Sequence, residues 1–491
     1  MKIKSNPIRT KKDWEAQRLA AELDPGKFHG DIAQREIFWY NKDINAWIKN
    51  TPQGWIGYDP KTQEKISVNL PETYEPWERA FSDENPPFYR WFEGGLTNAC
   101  FNEVDVHVLA GYGDEIAFIF EGDRWELDHQ KVSRKELLIE VARRAILLRN
   151  IGLKKGDRII LNMPNILEQI YFIEAAKRLG IVYSCVFSGF SAATLLERII
   201  HSGAKAVVTV DGAYKNGQLV SFKSQYIDKA LEIQNVPLDV LVVKNATPPD
   251  LKWHPERDKW VHELLDDKDL YDLPTKELLE RIYEVIPPVI VDAEFPLFIM
   301  YTSGSTGKPK GVVHTHGGYV QGIAHTMRVA FDVDPEAKVP DVIYVVADPG
   351  WITGQSYMIS ASLTTRTTSV IIEGSPLVPN ASRLSSIIER HKVTIFKAGS
   401  TFLKTILSAQ ENIDDLKKYD CSTLRVGTFC AEPTSPAIQQ FAMEVLTPHY
   451  INSYWGTEHG GIVLTNFYGN DDKAFRQLAR VTPTPNTIPA R

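Results

Sequence analysis

From about Ser133 onward the hydrophobic positions alternate between two spacings. Leu137, Leu138, Val141, Ala142, Ala145 and Leu148 recur at helical intervals behind Ser133 and Glu136, a capping-box pair, and Gly152 supplies a stop. Arg158-Ile-Ile-Leu-Asn then reads as a strand and Asn165 to Gly180 as a helix. Ile181 to Phe187 reads as a buried strand, the stretch near Ser191–Ser202 as a helix, and Ala206-Val-Val-Thr-Val as a strand. Strands separated by single helices need crossover connections, so a mostly parallel sheet is expected. A second alternating series has strand-like runs at Val342–Ala347, Ser369–Ile372, Val393–Phe396, Leu424–Phe429 and Tyr450–Trp455.

Between the two series, Asn245 to Pro296 is charged and proline-rich, with Trp253, Trp260 and the Pro287-Pro288 pair, and reads as a connector containing some helix. The first hundred residues are aromatic and show no clean period. After Gly461 the apolar pattern fades into a tail with Pro483, Pro485 and Pro489. The expected organisation is an α/β protein: an N-terminal extension (1–115), a first α/β subdomain with its connector (116–285), a second α/β subdomain (286–465) and a tail (466–491).

Composition narrows the partners. The chain has 491 residues, 55 Lys+Arg and 62 Asp+Glu, for a net charge of −7. Such a chain gains no general attraction to nucleic acid or to an anionic membrane, so a polyanionic ligand needs a local site. Cys100, Cys185, Cys421 and Cys430 form no C-x-x-C pair and no disulfide framework. The N-terminus lacks the apolar core of a signal peptide, and no run of apolar residues is long enough to span a bilayer. The expectation is a cytoplasmic protein with no nucleic-acid and no membrane partner.

The local site is visible after Phe295-Pro-Leu-Phe-Ile-Met, which reads as a buried strand. It runs into Tyr301-Thr-Ser-Gly-Ser-Thr-Gly-Lys-Pro-Lys-Gly311 and then Val312-Val-His-Thr-His316, the start of which reads as a second strand. Glycines let backbone N–H groups approach an anion, and hydroxyl and ammonium groups add donors, so this is the chemistry of a polyphosphate cradle. It is not a Walker A loop: Gly304 and Gly307 are too close together, and Pro309 follows Lys308 where Ser or Thr is needed.

T-S-G-S-T-G-K-P-K-G resembles the signature loop of the AMP-forming acyl-CoA synthetases, adenylating domains and luciferases. The resemblance extends from about Trp77 to Gly461 and is strongest to the acetyl- and propionyl-CoA synthetase branch. It includes Trp91-Phe-Glu-Gly-Gly-Leu-Thr-Asn98, Val186-Phe-Ser-Gly-Phe-Ser191, Ala347-Asp-Pro-Gly-Trp-Ile-Thr-Gly354 and Tyr454-Trp-Gly-Thr-Glu-His-Gly-Gly461. Cys430-Ala-Glu-Pro-Thr-Ser-Pro436 also resembles the ligase portion of multifunctional propionyl-CoA synthases, which activate 3-hydroxypropionate.

This resemblance implies the large domain of an adenylate-forming enzyme and a two-step reaction. A short carboxylate (3-hydroxypropionate, propionate or acetate) attacks ATP with Mg²⁺ present, giving an acyl-adenylate and pyrophosphate; coenzyme A then displaces AMP. It implies catalytic roles for Thr457, Glu458 and Lys308, with Glu458 as the metal ligand. The ATP site it implies comprises Thr302, Ser303, Gly304, Ser305, Thr306, Gly307 and Lys308; Ala431, Glu432 and Pro433; and Asn452, Ser453, Tyr454, Trp455, Gly456 and Thr457. Trp351, Thr353, Cys430 and Trp455 match positions around the acyl pocket, where a Trp at the last position favours a short acid. Gly189, Phe190, Ser191 and Lys215 match the coenzyme A side, with Gln218 where the family has a second cation.

Two departures stand out. The family usually has Gly where this chain has Ala431, which adds one methyl beside the nucleotide or acyl group. The family's ribose-binding Asp, hinge and small C-terminal domain with its catalytic lysine are not found after Gly461, so a C-terminal catalytic domain is expected in a longer parent protein. Two alternatives remain at this level: a domain that binds ATP or an acyl-adenylate without turnover, and an adenylating domain that loads a carrier protein.

Overall fold

Ser133 caps the first long helix of the alternating series, Arg134–Asn150, as its sequence predicts. The Ser133 hydroxyl accepts from the Glu136 backbone N–H at 3.1 Å, and the Glu136 carboxylate accepts from the Ser133 N–H at 2.7 Å. A computed structural model describes residues 7–124, 128–265, 268–302, 309–469 and 482–483. The next helix, Leu167–Leu179, ends at Gly180 with a φ of +65°, the left-handed backbone that glycine adopts without a Cβ penalty. Helix Ala192–Ser202 begins at Ser191, whose hydroxyl accepts from the Thr194 N–H at 3.2 Å.

Two large sheets carry the fold. The first has the order Asp258–Trp260, Asp239–Val243, Ala206–Val210, Arg158–Leu161, Val182–Cys185, Pro296–Thr302 and Lys310–Thr315. It is parallel except for the last pair, an antiparallel hairpin. The second has the order Thr482–Pro483, Leu464–Thr465, Tyr450–Tyr454, Val426–Cys430, Ile395–Gly399, Val342–Val345, Thr368–Ile372, Ile116–Glu121 and His129–Ser133. It is parallel from Tyr450–Tyr454 to Ile116–Glu121 and antiparallel at its edges.

The sheets do not divide at residue 286. Pro296–Thr302 and Lys310–Thr315 complete the first sheet, whereas Ile116–Glu121 and His129–Ser133 belong to the second. An apolar run identifies a buried strand, but its choice of neighbour is set by long-range pairing that local periodicity does not encode. This exchange places the hairpin that flanks residues 303–308 on one sheet and the Tyr450–Tyr454 strand on the other.

The aromatic N-terminal region is ordered after all. Helices Lys11–Leu23 and Pro25–Glu36 precede a four-stranded antiparallel sheet, Trp39–Asn41, Ala46–Thr51, Gly54–Tyr58 and Lys65–Ser67. Its aromatic residues pack on one another: Trp47 stacks on Phe101 at 4.0 Å, and Trp39 meets Trp77 edge-on at 5.0 Å. The connector contains helix Thr275–Val285, as expected. Strand Leu464–Thr465 pairs with Tyr450–Tyr454, and Thr482–Pro483 of the tail pairs with it in turn. No helix among the described residues is long and apolar enough to cross a membrane.

Candidate functional site

The loops implicated by sequence leave the carboxyl ends of parallel strands, where α/β sheets bind ligands. Thr302 ends strand Pro296–Thr302 opposite Lys310. Ser303, Gly304, Ser305, Thr306, Gly307 and Lys308 lie outside the described residues. Four residues beyond Lys310, the hairpin reaches the other sheet: the His314 Nε2–H donates to the Thr457 carbonyl at 2.8 Å. The acceptor is a carbonyl, so the proton must sit on Nε2. Burial pushes the His314 pKa down to about 4, opposed by this hydrogen bond, which keeps the ring neutral and the tautomer fixed.

The turn from Gly456 to Gly461 is held from several sides. The His459 Nδ1 accepts from the Gly456 N–H at 3.1 Å, the Ser356 hydroxyl donates to the Gly460 carbonyl at 2.5 Å, and the Tyr357 hydroxyl accepts from the Ile462 N–H at 2.9 Å. Gly460 has a φ of +73°, and a Cβ there would lie 2.8 Å from the His314 ring, so both conformation and space require glycine. His459 therefore shapes the turn; sequence alone gave it no role. The turn presents Thr457 half-buried and Glu458 exposed. No hydrogen bond or ion pair engages the Glu458 side chain among the described residues. No group of three His, Cys, Asp or Glu side chains among them could hold a metal by itself. A lone free carboxylate at this place fits Mg²⁺ shared with substrate phosphates, because Mg²⁺ keeps few protein ligands.

Cys430 ends strand Val426–Cys430 and is buried, and Ala431 follows with a φ of +75°. This is the position where the family has glycine, and the alanine takes the glycine conformation. Glu432 and Pro433 are exposed beyond it. The Glu432 carboxylate accepts from the Thr401 hydroxyl and lies 3.5 Å from the Lys404 ammonium, and the Glu432 carbonyl accepts from the Ser400 hydroxyl at 3.2 Å. The loop is thereby tied to helix Ser400–Leu407.

Along Tyr450–Tyr454 the side chains alternate. Tyr454 is exposed, Asn452 half-buried, and Ser453 buried. The Ser453 hydroxyl is turned to the interior, where it meets Thr428 Oγ1 and the Phe429 carbonyl at 3.0 Å each. Its side chain thus lies on the face opposite Asn452 and Tyr454. Trp455 is buried edge-on against Tyr357 at 5.1 Å.

Sequence reasoning missed Lys397. It lies in the middle of strand Ile395–Gly399, fully buried, and donates to the Ser453 hydroxyl at 3.0 Å beneath Trp455. A charge inside an apolar strand run was the available signal.

Where the resemblance implies coenzyme A contacts, the loops around Phe187 and Gly350 touch backbone to backbone: a Cβ on Gly350 would lie 2.5 Å from the Phe187 nitrogen. Gly189 is equally constrained, since a Cβ there would meet the Phe187 ring at 2.3 Å. Trp351 is 49% exposed and leans on Phe187 and Phe190, with ring centroids 5.9 and 5.7 Å away. The two Trp residues assigned to the acyl pocket therefore differ: Trp351 joins the Phe187–Phe190 loop, whereas Trp455 is enclosed. Thr353 is half-buried at the start of the helical segment Gly354–Ser360. Asp348, in the same loop, accepts from the Gly350 N–H at 2.6 Å, and burial pushes its pKa up to about 7. Lys215 is exposed beside a tight turn in which Asp123 accepts from the Asn216 and Gly217 N–H groups.

Two large, mostly parallel sheets with helices between their strands, joined by the His314–Thr457 hydrogen bond, define an α/β protein. The chain belongs to the AMP-binding enzyme family, whose model matches residues 106–487. Residues 71–102 match the model of the acetyl-coenzyme A synthetase N-terminus. Similar curated proteins include the acetyl-coenzyme A synthetase of Paraburkholderia phymatum, 37% identical over 413 residues, which are 83% of this chain and 59% of that protein. Another is the acetyl-coenzyme A synthetase of Burkholderia mallei, 36% identical over 405 residues, 81% of this chain and 58% of that protein. The chain thus spans less than two thirds of these relatives.

Proposed function

We propose that this chain is the nucleotide- and acid-binding body of an AMP-forming acyl-CoA synthetase for short carboxylates: 3-hydroxypropionate, propionate or acetate. The observation that carries the reading is the His314–Thr457 hydrogen bond, which holds the hairpin flanking the phosphate loop against the Thr-Glu turn. In the first step a carboxylate oxygen attacks the α-phosphorus of ATP, and the bond to pyrophosphate breaks. In the second the sulfur of coenzyme A attacks the acyl carbon, AMP leaves with its oxygen, and the thiol proton is released. Both reactants of the first step are anions, so donors and charge fixed in advance lower the barrier.

Residues Thr302–Lys308 would hold the phosphates, Thr457 would donate to the α-phosphate, and Glu458 would hold Mg²⁺. That ion supplies charge neutralisation to the phosphates when bound. Ala431–Pro433 and Asn452–Tyr454 would border the nucleotide, and Cys430 and Trp455 the acyl group. Gly189, Phe190, Ser191 and Lys215 would meet coenzyme A, with Trp351 and Thr353 between them and the acid. The proposed partner is a C-terminal catalytic domain in the parent protein, and the proposed location is the cytoplasm.

The test is AMP release by the full natural protein with ATP, Mg²⁺ and coenzyme A, across acetate, propionate, acrylate, 3-hydroxypropionate and butyrate. Release with one or more of these acids is expected. A protein that binds ATP and yields no AMP from any of them would be a binding domain, and the synthetase reading would fall.

A further inference from the structure

We propose that Lys397 is a specificity-determining residue of the acyl pocket, its ammonium donating to the oxygen of a hydroxyl group carried by a short acid. The inference rests on the acyl-activating reading above and assigns a substrate class to the same site.

The ammonium is placed unlike the other fully buried lysines among the described residues. Lys177 lies 2.6 and 2.7 Å from the Glu103 and Glu174 carboxylates, and Lys223 lies 3.0 and 2.7 Å from those of Asp228 and Asp258. Lys397 is equally buried, yet no carboxylate pairs with it among the described residues. One N–H goes to the Ser453 hydroxyl at 3.0 Å. The nitrogen also faces rings, 4.9 Å from the centroid of Tyr357, 5.3 Å from Trp455 and 5.9 Å from Phe331. Cys430 takes a second N–H, and ring faces stabilise a cation but leave its third donor unspent. Burial holds the group below the ordinary lysine range, with Cys430 beside it acting in the opposite direction. A buried ammonium with a spare donor is costly unless something else accepts from it.

Space for such an acceptor lies on the same strand face. Side chains alternate, so Gly399 shares the face of Lys397, and Gly399 pairs with Cys430. A Cβ added to Gly399 would find only the Cys430 carbonyl, 4.0 Å away. There is therefore open space at Gly399 beside Cys430, on the strand face that carries Lys397, with Trp455 also in contact with the cation. The Trp455 indole N–H is itself buried with no hydrogen-bond partner among the described residues. Cys430 and Trp455 are two of the four residues assigned to the acyl pocket, so Lys397 forms a polar floor on that side of it. The methyl end of propionate would leave both donors unmet. A hydroxyl accepts from the ammonium without bringing a second charge into the ring-lined interior, as a second carboxylate would.

The experiment compares kcat/KM for 3-hydroxypropionate, propionate and malonate, read as AMP formation by the full natural protein and by its Lys397→Met variant. A buried donor built for a hydroxyl discriminates against the analogue lacking it, and a hydrogen bond to a charged group corresponds to about tenfold or more. The wild type should therefore favour 3-hydroxypropionate over propionate by at least about tenfold. Lys397→Met should bring that ratio close to one, chiefly through KM for the hydroxy acid. Equal use of the two acids by the wild type overturns the assignment, and this comparison stands even where the variant does not fold. A preference that survives in a folded Lys397→Met protein overturns it as well. Preference for malonate over both monocarboxylates would give the ammonium to a second carboxylate and overturn the hydroxyl assignment. AMP formation without discrimination removes only the role of Lys397, whereas no AMP from any acid removes the synthetase reading beneath it.

Discussion

His314 on the hairpin of the first sheet donates from Nε2 at 2.8 Å to the carbonyl of Thr457, in the turn that follows strand Tyr450–Tyr454 of the second sheet. The His314 ring is stacked on Phe298 at 4.8 Å and leans on Tyr319 at 5.1 Å, so it has little freedom to release its partner. Its pKa is pushed down from 6.5 to about 4 in the folded chain.

The sign of the pH effect follows. Between those two values the unfolded chain binds a proton at this position that the folded chain refuses, so its contribution to stability is lost as pH falls. Relative to His314→Gln, which has no titrating group, the wild type should lose about 2 kcal/mol on going from pH 7.5 to 5. Urea melts of both proteins at the two pH values measure it. A difference between the proteins that does not change with pH would mean that His314 titrates normally.

Ala431 makes a second prediction because its backbone and its side chain disagree. With a φ of +75° its Cβ crowds the carbonyl oxygen, a cost of about 1 kcal/mol or more that glycine avoids. Part of that gain is offset by the greater freedom of glycine in the unfolded chain. Ala431→Gly should therefore stabilise the protein by up to about 1 kcal/mol, measured by chemical denaturation. A destabilised variant would show that the methyl makes a favourable contact worth more than the strain.

Much of this arrangement can be read from residue order, for physical reasons that differ from place to place. Ser133 and Glu136 announce their helix because capping is local, three residues apart. The strand at Val342–Val345 is legible because buried parallel strands are continuously apolar. The sheet to which Pro296–Thr302 belongs is not legible, since its pairing with Val182–Cys185 joins residues more than a hundred positions apart. The N-terminal sheet escaped because its aromatic residues pack on each other in place of a regular alternation. Thr457 and Glu458 were reached through a motif, but the inward turn of Ser453 and the ammonium under Trp455 depend on which strand face each residue occupies. Periodicity hides a lysine such as Lys397 by averaging it into an apolar run.

Glu458→Gln separates chemistry from folding. The carboxylate is exposed and engaged by no partner among the described residues, so its loss should change stability by no more than about 0.5 kcal/mol. In the proposed synthetase the same change removes the metal ligand's charge from the phosphate site. Adenylation, followed as exchange of labelled pyrophosphate into ATP, should fall by about a hundredfold or more. Near-normal exchange in a well-folded variant would take Glu458 out of the mechanism.

Trp455→Gly tests the pocket wall, and stability and specificity should move together. Trp455 is 7% exposed, packed edge-on against Tyr357 and over the Lys397 ammonium. Removing a buried indole costs about 3–5 kcal/mol, less if the neighbours collapse into the space. If they do not collapse, the cavity opens into the acyl pocket and should admit longer acids. Among acetate, propionate, butyrate and valerate, the optimum measured by AMP release should shift to a longer chain in the variant. Each methylene that finds apolar space there is worth about 0.8 kcal/mol, close to a fourfold gain in kcat/KM. A destabilised variant with an unchanged chain-length profile would make Trp455 a packing residue alone, with the wall of the acid site elsewhere.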